Sequence, residues 1–149
     1  MKIHFFRILL VLALLASVSY CGKEGDKDGG ASAPVSSDNK GIGPVSKADI
    51  GPLNDGLAEK GKQIFDSKCA ACHKFEEKVV GPPLAGVTQR RTPEWIMNMI
   101  LNPQEMIAKD PAAKELFETY LVQMTFQNVS QEDTRAILEY FRQIDSRKK

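Results

Sequence analysis

Cys69-Ala70-Ala71-Cys72-His73 is the stretch on which the reading of this sequence turns. Two thiols three positions apart, followed at once by an imidazole, form the pattern by which a haem is attached covalently. The thiols add to two vinyl groups, and the histidine reaches the iron from one side. Three other chemistries use similar residues. A structural zinc site wants four Cys or His ligands, and after Cys21 the chain offers only Cys69, Cys72 and His73. A redox dithiol wants a βαβ setting, which the patterning lacks. A Cys69–Cys72 disulfide leaves His73 unexplained.

Outward from this motif the periodicity is helical. Leu57, Gly61, Ile64 and Phe65 fall on one face of a helix that runs into the motif. Thr92 can cap a second helix, with Pro93 in its first turn and Glu94 at its positive end, and Pro103 stops it near Asn102. Asp110 and Pro111 open a third, with Leu116, Phe117, Tyr120 and Leu121 as its apolar stripe. Ser130-Gln131-Glu132-Asp133 opens the last as a near capping box, with Asp in place of Glu or Gln, and Ile137, Leu138, Tyr140 and Phe141 follow. No run alternates with period two, so the domain is expected to be all-α, with about four helices over residues 53–149. Helices this short need tertiary packing, and one covalent haem would fill their middle.

The first twenty residues differ from the rest. Lys2, His4 and Arg7 precede the uncharged run ILLVLALLA, Ile8 to Ala16. That run is short for a membrane span and suits a signal peptide, expected over residues 1–20, with an uncleaved anchor from Phe5 as the alternative. Cys21 follows, and it resembles the lipidated cysteine of bacterial lipoproteins; the alternative is a cut after Ser19, leaving an incidental thiol. Residues 21–52, rich in Gly, Ser, Asp, Lys and Pro, read as a flexible linker. The chain has 20 basic and 19 acidic residues, and 18 against 19 once Lys2 and Arg7 are set aside. No basic excess is available for nucleic acid.

From about Leu57 to Gln143 the chain resembles the class I c-type cytochromes. Gly61 and Phe65 lie ahead of the haem motif, Gly81-Pro82-x-Leu84 follows it, and Met124 precedes a final helix carrying Ile137 and Tyr140. The resemblance implies a cytochrome c fold in which Gly61 lets the first and last helices approach and Tyr140 packs over it. It implies that Pro82 offers its carbonyl to the second ring nitrogen of His73. It also implies a methionine as the second axial ligand of the iron, whose soft sulfur raises the reduction potential. His73 is the only histidine after the signal segment. Met99 reads as core with Ile96 and Ile100, Met97 sits beside that face, Met106 reads as a gap filler, and Met124 stands where the family places its ligand. Thr125 follows it where the family usually has proline, and Met124 also continues the stripe of Phe117, Tyr120 and Leu121. Trp95, Arg91 and Arg90 could face the haem propionates; a core tryptophan and solvated arginines are the alternatives.

The function expected is one-electron carriage by haem c, not enzymatic turnover, with redox proteins as partners and no small-molecule substrate. The place is the periplasm, with membrane anchorage through Cys21. Lys68, Lys74 and Lys78 flank the motif and are expected to ring the docking face, solvated surface lysines being the alternative. A haem enzyme or gas sensor with an open sixth position is the rival from another class. A permanent subunit of a larger reductase or oxidase is the third reading.

Overall fold

Three of the helices start on a proline, because proline's fixed φ suits the first turn and its missing N–H is no loss there. In the computed structural model, which describes residues 38–147, helix α1 spans Asp55–Lys68, α2 Val87–Arg90, α3 Pro93–Leu101, α4 Pro103–Lys109, α5 Pro111–Tyr120 and α6 Gln131–Ser146. There is no strand among the described residues. The described residues lie in one compact unit, residues 32–149. The expected signal segment and Cys21 lie outside the described residues.

Side-chain caps start the helices where the sequence places them. Asn54, Thr92, Asp110 and Ser130 each accept a backbone N–H from the first turn of α1, α3, α5 and α6. The Ser130–Asp133 capping box is complete in both directions, so aspartate suffices at its third position. Two short helices are additional to the four expected. Pro103 ends α3 as anticipated, but it also begins α4, with Asn102 flanking both. The other, α2, has its N-terminus held from a distance: Asp145 of α6 accepts the Gly86 and Thr88 N–H groups at 2.6 and 3.0 Å.

The core forms where α1 crosses α6. A Cβ on Gly61 would lie 1.9 Å from the Ala136 carbonyl oxygen, so only glycine allows this approach. Tyr140 stands one turn further on, 5.7 Å from the Phe65 ring. Phe75 and Phe141 complete a cluster of four rings.

Residues 38–52 depart from the linker expectation. They form a strap folded onto α3, α4 and α6. Asn98 of α3, 1% exposed, accepts the Val45 N–H and donates to the Val45 and Lys40 carbonyls, all within 3.0 Å. The backbone at Gly43 presses so close that a Cβ would sit 2.4 Å from the Asn98 Oδ1. Glu94 receives the Ala48 N–H, and Arg135 and Arg142 donate to the Asp49 and Gly51 carbonyls. Behind these arginines, the fully buried Glu139 accepts both guanidiniums and the Asn54 N–H. Burial pushes the Glu139 carboxyl up, but the Asn54 N–H, Arg135 and Arg142 together hold it below its ordinary value. The strap has few apolar residues, yet polar side chains on the helices satisfy its backbone.

Candidate haem-attachment site

The motif residues leave the end of α1 on one tight turn. The N–H groups of Cys69 and Ala70 both donate to the Phe65 carbonyl, and those of Cys72 and His73 both donate to the Cys69 carbonyl at 3.0 Å. Both thiols are free, Cys69 half-buried and Cys72 exposed. Burial pushes the Cys69 thiol up to about 11. Among the described residues no group of three His, Cys, Asp or Glu side chains is arranged to hold a metal ion. A protein-only zinc site therefore has no support there.

His73 is held from its far side. Its Nδ1 lies 3.1 Å from the Pro82 carbonyl oxygen. A Cβ on Gly81 would meet the ring at 2.4 Å, so the backbone lies flush against the imidazole. Burial lowers the pKa of His73, against the opposing pull of the Pro82 carbonyl, and favours the neutral ring. With Nδ1–H directed at Pro82, the Nε2 lone pair is left as the available donor to a metal. The loop itself is stiff. Val80 and Gly81 donate to the Cys72 carbonyl, Leu84 to that of Lys74, and Ala85 to that of Phe75. The Phe75 ring then locks this loop to the α1–α6 crossing.

Met124 lies in the segment between α5 and α6, half-buried against the core. It is not a helical residue, because α5 ends at Tyr120 and Leu121 turns left-handed. The other methionines are occupied elsewhere. Met97 is 2% exposed, and Met99 packs on the core. Met106 is fully buried and its Sδ accepts the Ile42 N–H of the strap.

The residues expected near the propionates are arranged differently. The Trp95 indole N–H donates to buried Asp110 at 2.9 Å, so it is not free for a propionate. Asp110 meets the need of a buried indole for a partner and caps α5 with the same oxygen. Arg90 donates to the Ala85 carbonyl. Arg91 stacks on Trp95 at 4.9 Å; its backbone N–H donates to the Val87 carbonyl, and its guanidinium has no hydrogen bond among the described residues. Two of the three flanking lysines are also engaged: Lys68 donates to the Gln127 carbonyl at 3.3 Å, and the Lys78 Nζ lies 4.9 Å from the centre of the Tyr120 ring.

Large apolar side chains stand open in the loop after this motif and in and after α5. Val79 and Val80 follow Lys78, while Phe117, Leu121, Val122 and Phe126 flank Tyr120 and Met124; all are 37–78% exposed. A water-facing set of this kind, beside two free thiols and an imidazole with a free Nε2, suits a large apolar group carrying a metal. The residues present fit a covalently bound haem.

Residues 58–145 match the family model described as Cytochrome c. The chain belongs to the cytochrome c family. Family members carry covalently bound haem c and work by haem-based electron transfer. Over 64 residues the chain is 36% identical to a cytochrome c-553-like protein of Synechocystis; the match covers 34% of this chain and 61% of that relative. A solved cytochrome c from Rhodothermus marinus is 43% identical with a TM-score of 0.70, covering 71% of this chain and 92% of the other. An engineered form of that cytochrome c, bound to a carbene intermediate, has a TM-score of 0.65 at 43% identity, covering 70% and 91%.

Sequence reasoning missed Phe75, Asn98, Glu139 and Asp145. Each acts on a segment far along the chain, so no local pattern marks it. For Asn98 the one available signal is a polar residue in the apolar face of an amphipathic helix.

Proposed function

We propose that this chain is a one-electron carrier working outside the cytoplasm, with haem c joined to Cys69 and Cys72 and its iron between His73 and Met124. The observation that carries the reading is one turn holding both thiols and an imidazole whose Nδ1 is fixed at 3.1 Å from Pro82. When bound, the haem supplies a reversible one-electron couple at its iron. The chain's residues do the rest. The Pro82 carbonyl orients the His73 ring and strengthens it as a donor. The Met124 thioether favours ferrous iron and so a higher potential. Val79, Val80 and Phe126, which are exposed side chains, would cover the haem and exclude water. Arg91, shelved on Trp95, keeps N–H groups for a propionate. With His73 and Met124 both holding the iron, no position would be left for a substrate.

Around this centre the reading is of an exported chain. Residues 1–20 are a signal peptide, Cys21 is lipidated, and the tether keeps the domain near periplasmic redox partners at raised effective concentration. A haem enzyme with an open sixth position is the second reading. It is favoured by the lack of backbone–backbone hydrogen bonds at residues 122–129 among the described residues, and by the carbene carried in the engineered Rhodothermus relative.

Substitution of the methionines in the matured protein tests the ligand set. Met124→Ala should abolish the sulfur-to-iron charge-transfer band and lower the potential, while Met106→Ala should keep the band. The reverse pattern would sink the ligand assignment. Haem that leaves the polypeptide on acidic organic extraction would sink covalent attachment.

A further inference from the structure

The segment from Leu121 to Ser130 is held in an unusual way. Both of its ends carry a non-glycine residue in the left-handed region, Leu121 at φ 55° and Asn128 at φ 52°. Asparagine tolerates left-handed backbone, but for leucine it is costly, and at Leu121 it goes with the N–H donated to the Phe117 carbonyl that ends α5. Yet among the described residues no backbone–backbone hydrogen bond involves residues 122–129. The hydrogen bonds from the Gln127 side chain stay within the segment, on Thr125. Two lysines close against it from the other side of the motif. The Lys68 Nζ, on the last residue of α1, donates to the Gln127 carbonyl at 3.3 Å. The Lys78 Nζ sits over the Tyr120 ring at 4.9 Å, at the hinge where the segment leaves α5. Both lysines belong to the elements that carry the haem motif, and both contacts bridge to the elements that carry Met124.

We infer that Lys68 and Lys78 are positioning residues that clasp the Met124 segment at its two ends and thereby set how firmly the sixth iron position is closed. This rests on Met124 being the axial ligand. Neither lysine is assigned as a ligand; each acts by tying the Met124 segment to the elements that carry the haem motif. Both lysines keep their charge and their exposure, so with Lys74 they remain available to a docking face.

The test uses the full holoprotein with Lys68→Met, Lys78→Met, both together, and Lys68→Arg. Both lysines are exposed, so the helical fold should survive, which circular dichroism checks. Imidazole, a neutral probe at alkaline pH and so indifferent to the lost charges, is titrated into the ferric protein while the charge-transfer band is followed. Each single variant should bind imidazole about threefold more tightly and the double variant about tenfold, the scale of an exposed hydrogen bond and a cation–π contact. Lys68→Arg, which can still donate to the Gln127 carbonyl, should stay near wild type. A double variant that lacks the band without imidazole, with helices intact, is the same result at larger amplitude. A double variant with the wild-type band and wild-type imidazole affinity overturns the clasp. If the band instead survives Met124→Ala, the ligand assignment has failed, whatever the lysine variants show.

Discussion

The strap of residues 38–52 and the segment from Leu121 to Ser130 are both irregular, and neither is ordered by a backbone ladder. They are held in opposite ways. Buried groups grip the strap: the Asn98 amide, the Glu139 carboxylate behind Arg135 and Arg142, and Asp110, which receives the Asn39 amide. The segment carrying Met124 packs on the core through Val129 and half-buried Met124, but its polar ties come from exposed lysines. A hydrogen bond sheltered from water is costly to lose, because its partner stays unsatisfied, whereas an exposed one is replaced by water. The strap should therefore rise and fall with the whole domain, and the Met124 segment should open on its own.

Glu139→Ala should break this contrast most forcefully. It strips Arg135, Arg142 and the Asn54 N–H of their shared acceptor, and should cost about 3 kcal/mol by chemical denaturation. Acid should mimic it. The Glu139 carboxyl is held below its ordinary value of 4.5, so its contribution is complete above that pH and disappears as pH falls through the lowered value. The stability gap between wild type and Glu139→Gln should shrink across that range; a gap independent of pH would remove Glu139 as the strap's charged anchor. Asn98→Ala should follow at about 2 kcal/mol, since it orphans the Val45 N–H and two carbonyls. Hydrogen exchange should then show residues 40–48 released, while an unchanged exchange pattern would mean that Asn98 does not hold the strap. Leu121→Gly should act least and in the other direction. It relieves a φ of 55° at a side chain 78% exposed, against the entropy glycine adds to the unfolded chain, for a gain of about 0.5 kcal/mol in thermal unfolding. A loss of stability would show that the exposed leucine packs on something when the haem is bound.

Much of this was legible in advance, for local reasons. Caps and first-turn prolines act within four residues, so Thr92, Asp110 and Ser130 announce their helices. Gly61 announces a close approach because only a small residue serves there. The motif and Met124 stand out by spacing and by the resemblance. The strap was illegible because its order is supplied from elsewhere: Asn98 lies 53 residues from Val45, and Glu139 lies 85 from Asn54. Composition could only report that residues 38–52 bring little apolar surface of their own. Trp95 shows the same limit in miniature. Its sequence predicts a polar partner, but choosing Asp110 over a propionate required seeing the junction of α4 and α5 brought against α3.

The bond from Asp145 to the first turn of α2 has a counterpart in time. Asp145 lies near the end of α6, and the same helix supplies Ala136 against Gly61 and Glu139 beneath the strap. α6 is also the last of these helices to be made. As the chain grows, α1 has no partner for its glycine face, α2 has no distant carboxylate at its N-terminus, and the strap lacks the arginines that Glu139 holds. Until the final helix has been made the earlier ones are a string of marginal pieces, and the domain closes in one late event.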